Sequence, residues 1–71
     1  MTLGEKIRQH RIKSGITVKK LAKTLGVADM TVYNWENDFT EPTFFFAICL
    51  ADILGVTLNY LAGKENPVNE V

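Results

Sequence analysis

Apolar residues recur along the chain at intervals of three and four, the spacing that gathers side chains on one side of an α-helix. Leu3, Ile7, Arg11 and Ser14, with Ile12 beside them, predict a first helix over about residues 2–14 whose intervening positions carry most of the early positive charge. Gly15 suits a helix end that needs a left-handed backbone, Ile16 can anchor the turn in the core, and Thr17 is a good N-cap. A second helix follows over 18–25, with Leu21, Ala22 and Leu25 on its core face and Gly26 as its stop. Residues 28–37 contain Val32 and Trp35 three apart and no helix breaker, so they read as a third helix, and Asp29 near its start favours the helix dipole. After a loop over 38–42, Pro42-Thr43 opens a fourth helix whose expected buried stripe is Phe44, Ala47, Ile48, Ala51 and Leu54, ending at Gly55. Thr57 caps a short fifth helix that turns Leu58 and Leu61 inward. The pattern is all-α: a compact five-helix domain over 1–63, followed by a flexible C-terminal tail over 64–71.

Composition narrows the function. The chain has 71 residues, 46% hydrophobic and 23% charged, and no apolar run nears the about 20 residues of a membrane helix. Met1 to Lys6 run straight into an amphipathic pattern without the features of a signal peptide, so a cytoplasmic protein is expected. Cys49 and His10 are single, which excludes an intrachain disulfide and argues against a metal site. His10 sits beside Arg11 on a basic helix, Cys49 has no expected base, and no glycine-rich phosphate loop or paired-carboxylate arrangement occurs. No enzyme, cofactor or small-molecule substrate is therefore expected. The net charge is zero but divided: up to Lys23 seven bases face Glu5 alone, and from Thr24 onward Lys64 faces seven acids. Such a division predicts a basic side and an acidic side.

Two short helices joined by a tight glycine turn within a small bundle form a helix-turn-helix unit on physical grounds. The segments Leu3-Gly4-Glu5-Lys6-Ile7-Arg8, Leu21-Ala22-Lys23-Thr24-Leu25-Gly26-Val27, Trp35-Glu36-Asn37, Glu41-Pro42-Thr43 and Leu50-Ala51-Asp52-Ile53-Leu54-Gly55-Val56 occur in that order. Together they closely resemble the Cro and C1 repressor family, often called the XRE family, over residues 2–63. The resemblance implies a lambda-repressor-like fold with the helix-turn-helix at helices 2 and 3. It implies a phage or prophage-type transcriptional regulator of double-stranded operator DNA whose third helix enters the major groove. Base-facing roles would then fall on Asp29, Met30 and Asn34, with Tyr33 beside them. Thr17 and Asn37 match positions that touch phosphate, Lys19 and Lys13 would add attraction, and Arg11 and Glu36 match a buried ion pair between the first and third helices.

The chain departs from that family at several of these positions. Val18 replaces a glutamine that holds phosphate, Ala28 replaces a capping serine or threonine, and Met30 and Tyr33 are apolar or aromatic where polar groups are common. Specific readout would lean on Asn34, whose amide can pair bidentately with adenine, while a thymine methyl suits Met30 or Tyr33. Asp29, Asp38 and Glu41 would bring negative charge towards phosphate. An alternative function follows: an antirepressor that uses Val18, Met30 and Tyr33 as an apolar patch, rimmed by Asp29, to block another repressor protein. Phe45, Phe46 and Cys49 are apolar where the family is polar, and they are either a homodimer or heteromer contact or an enlargement of the core. A dimer would set its two recognition helices in major grooves about 34 Å apart, on a near-palindromic operator.

Overall fold

The computed structural model describes residues 1–64, which form five helices: α1 Leu3–Lys13, α2 Val18–Leu25, α3 Asp29–Glu36, α4 Phe44–Leu54 and α5 Leu58–Leu61. No strand occurs among the described residues. Of the expected tail over 64–71, only Lys64 falls within them.

Threonine sets most of the helix starts. Thr2, Thr17, Thr43 and Thr57 each accept a hydrogen bond on the side-chain oxygen from the backbone N–H three residues on, satisfying a donor that the helix itself cannot. At α1 the Glu5 carboxylate returns a bond to the Thr2 backbone, completing a capping box. α3 is the exception: its N-cap is Ala28, which makes no side-chain bond. The turn from α2 to α3 is closed by Gly26 at φ 75°, a left-handed conformation that costs glycine little and lets the chain reverse within three residues.

Ile7, Leu21, Ala22, Val32, Trp35, Leu50, Ala51, Leu54 and Leu61 form the core. α3 packs against both α1 and α2, while α4 and α5 close on α1. The helix-turn-helix is thus backed by the first helix, and burial of these side chains rather than the intrinsic helicity of eight-residue segments holds it. A second tie joins α1 to α5. Lys6 Nζ donates to the Tyr60 carbonyl at 2.8 Å and lies 4.9 Å from the centre of that ring, and His10 Nε2 is 3.0 Å from the Tyr60 hydroxyl.

The expected buried stripe of α4 is corrected. Phe44 and Ile48 are exposed, at 72% and 45%, and the inward row of α4 is Phe46, Leu50, Ala51 and Leu54. Residues 44–51 are apolar without a break, so periodicity cannot fix which of them face inward; contact of the Phe46 ring with Trp35, centroids 5.7 Å apart, accompanies the observed phase. Ile12 and Ser14 are exposed at the end of α1, which meets its neighbours along Leu3, Gly4 and Ile7.

Candidate nucleic-acid interface

Asp29, Met30 and Tyr33 stand exposed on the first turns of α3, with Met30 at 63% and Tyr33 at 54%. Positions 29, 30 and 33 share one helix face by their spacing, opposite the buried Trp35. Val18, at the start of α2, completes a shallow and almost wholly apolar depression with these three residues. The structure therefore gathers Val18, Asp29, Met30 and Tyr33 into one surface. Asn34, one helical turn on from Met30, is half-buried, and its carbonyl accepts from the Phe39 N–H at 2.9 Å.

Beside the depression runs a crevice lined by Glu5, Arg8, Arg11, Val18, Tyr33, Glu36, Asn37 and Asp38, with Val18 and Tyr33 common to both. Arg8 is exposed at its edge, a cation that spacing alone did not single out because it is one of several bases on α1. Thr17 Oγ1 accepts from the Lys20 N–H at 3.0 Å, which leaves its hydroxyl proton free to donate outward. Lys13 and Lys19 are exposed. Asn37 Nδ2 donates to the Tyr33 carbonyl at 2.8 Å, so one of its two amide hydrogens closes the end of α3 and the other remains available.

The base of the crevice is a buried ion pair. Arg11 Nε lies 2.6 Å from Glu36 Oε2, Nη2 lies 3.2 Å from Oε1, and Nη1 donates to the Ile16 carbonyl at 2.8 Å. One arginine thus ties α1 to α3 and to the turn before α2. Its charge is matched within the protein and leaves Arg8, Lys13, Lys19, Lys20 and Lys23 as the exposed bases of the first two helices.

The acids are less opposed to phosphate than their order in the chain suggests. Asp38 turns to the start of α1, where Oδ1 accepts from the Gly4 N–H at 2.9 Å and Oδ2 from the Thr2 hydroxyl at 2.6 Å. Glu41 lines a groove against α5, with Leu58 and Leu61. Asp29 is the acid that stays with Met30 and Tyr33. Asp38 also holds φ 61°, a left-handed backbone that aspartate tolerates better than most side chains. Asp38→Ala is expected to cost about 0.5–2 kcal/mol, the range of a lost cap, in urea denaturation, and an unchanged midpoint would remove Asp38 from this role.

A helix-turn-helix family model matches residues 7–61. The HTH-type transcriptional regulator ImmR of Bacillus subtilis (strain 168) is 31% identical over 65 residues, which make up 92% of this chain and 51% of that protein. The chain thus spans about half the length of the curated relative it matches. Among solved structures, the P22 c2 repressor in complex with a synthetic operator superposes with a TM-score of 0.85 at 31% identity, covering 92% of this chain and 98% of that one. SinR, described as the master regulator for biofilm formation and solved in complex with DNA, superposes with a TM-score of 0.77 at 27% identity, covering 86% and 98%.

Proposed function

From the premise that this chain belongs to the Cro/C1-type helix-turn-helix family, we propose that it is a transcriptional regulator that binds double-stranded operator DNA with α3 in the major groove. The observation that carries this reading is the exposed surface of Asp29, Met30 and Tyr33 beside Val18, at the α3 end that this geometry turns towards base edges. Met30, with Val18 next to it, offers an apolar contact to a thymine methyl, and the Asp29 carboxylate offers an acceptor to a cytosine N4 amino group. Thr17, Lys19, Asn37 and Arg8 surround that surface with donors for phosphate, which set orientation and carry no sequence information. Asn34 reads at the margin, since it is half-buried. Binding is the whole activity in this reading, and no catalytic step or cofactor enters it. No helix among the described residues is long and apolar enough to cross a membrane; the DNA-binding reading is consistent with the expected cytoplasmic location.

The test is a fluorescence-anisotropy titration of the full chain against DNA from its own regulatory region at two salt concentrations. Saturable binding that weakens with salt is expected. Lys19→Ala should weaken all sequences alike and reduce the salt slope by about 1, whereas Met30→Asp should remove discrimination between operator and mixed-sequence DNA. Equal discrimination by Met30→Asp would displace Met30 from base readout. The depression also fits a second reading, because its apolar floor and its acidic rim at Asp29 suit the basic face of another repressor. Absence of DNA binding, together with release of DNA by a neighbouring repressor when this protein is added, would establish that antirepressor role.

A further inference from the structure

Val18, Asp29, Met30 and Tyr33 set a negatively charged acceptor against an apolar hollow within one small patch. Val18 is the fixed part, half-buried and packed on the core, and Met30 and Tyr33 stand exposed beside it. The Asp29 carboxylate borders the hollow, and no hydrogen bond or ion pair engages it among the described residues. It sits in the first turn of α3, where the helix dipole favours an acid, so the fold holds it there and leaves both oxygens free to accept.

Against a duplex, that carboxylate is repelled by phosphate unless a base-edge donor engages it. The major groove offers such a donor in the amino groups of cytosine and adenine. The hollow asks in addition for an apolar group next to the donor. Thymine has a methyl group, but the neighbouring O4 is an acceptor that the carboxylate repels. Adenine has its amino group between two acceptors, its own N7 and O4 of the paired thymine. Cytosine has the amino group and a bare C5, which leaves the hollow empty. A cytosine methylated at C5 puts an amino donor and a methyl group on neighbouring ring atoms, in the same order as the acid and the hollow.

We infer that this patch reads 5-methylcytosine as one base: Asp29 accepts from N4, and the methyl group enters the hollow of Val18, Met30 and Tyr33. The inference rests on the DNA reading proposed above and narrows it, since that reading leaves the acid and the hollow free to meet different bases. The protein then distinguishes a methylated operator from the same sequence without the methyl group.

The test titrates the full chain with duplexes of the sequence it protects in its own regulatory region, each position carried in turn as cytosine, 5-methylcytosine or thymine opposite the matching base. At one or more positions 5-methylcytosine should bind about fourfold tighter than cytosine, the gain from burying one methyl group. There it should also bind about tenfold or more tighter than thymine, whose O4 faces the carboxylate. Met30→Ala should lose the preference over cytosine and keep that over thymine, and Asp29→Ala should do the reverse. Both side chains lie outside the core, so the far-ultraviolet circular dichroism spectrum should not change. Salt-sensitive binding in which cytosine and 5-methylcytosine are equivalent at every position would overturn the inference and leave the DNA reading standing, whereas silence on DNA from that region would overturn both. A preference for 5-methylcytosine that both variants retain would overturn its placement on this patch.

Discussion

Glu36→Ala is expected to lower the stability of the domain by about 3–5 kcal/mol, the range found when one partner of a buried ion pair is removed. Glu36 is 3% exposed and Arg11 11%, so solvent cannot take over from the lost carboxylate. The guanidinium would keep its bond to the Ile16 carbonyl and lose both of its bonds to Glu36. In a domain of this size each kcal/mol shifts the melting temperature by roughly 4–8 °C, so a large part of the population should be unfolded near ambient temperature. The pair Arg11→Met with Glu36→Leu separates two causes. Replacing both charges by apolar groups removes the desolvation of each, and such replacements are often neutral or stabilising. Thermal denaturation followed by circular dichroism decides: a single variant that loses less than about 1 kcal/mol would show that the carboxylate is not needed to hold Arg11. Recovery in the double variant would locate the loss in the orphaned cation rather than in packing.

The second large effect is expected at Gly4, which lies buried where α1 crosses the end of α3. A Cβ there would stand 2.5 Å from the carbonyl oxygens of both Trp35 and Glu36 and 2.8 Å from Asp38 Oδ1. Two of these neighbours are backbone and cannot rotate aside. Alanine ordinarily favours a helix interior over glycine by about 1 kcal/mol, so a local account predicts that Gly4→Ala stabilises α1. The tertiary contact reverses the sign, and a net loss of about 1–3 kcal/mol is expected from overpacking. Because the same displacement pulls the Gly4 N–H from Asp38, the loop after α3 should loosen as well, which hydrogen exchange at Phe39 and Thr40 would reveal as faster exchange. A urea midpoint at or above that of the parent chain would show that α1 can move away from α3 without cost.

What could be read from the residues was whatever depends on near neighbours in the chain. Threonine before a helical run, glycine after it and the spacing of Leu21, Val32 and Trp35 placed five helices within a residue or two of their observed ends. Caps and periodicity act within one or two turns, so no knowledge of the fold is needed to interpret them. The motifs that resemble the Cro and C1 family extended this to the crossing of α1 and α3, since Arg11 and Glu36 could be named as partners before any distance was known, and the surface of Val18, Asp29, Met30 and Tyr33 was nameable in the same way.

Tertiary structure alone decided which side of each element meets the rest. From Phe44 to Ala51 every residue is apolar, so hydrophobicity carries no phase, and the packing that sets Phe46 on Trp35 is what leaves Phe44, Phe45 and Ile48 outside. Asp38 and Glu41 follow Asp29 in sign but not in place: one spends its charge on the start of α1 and the other faces α5, and both partners lie more than ten residues away in the chain. Asn34 shows the same limit, for a residue expected to face bases is half-buried in the folded domain, and its carbonyl accepts from the Phe39 N–H of the following loop. Charge and polarity belong to a residue, but the direction in which they act is set by contacts distant in sequence, and only the assembled core fixes those.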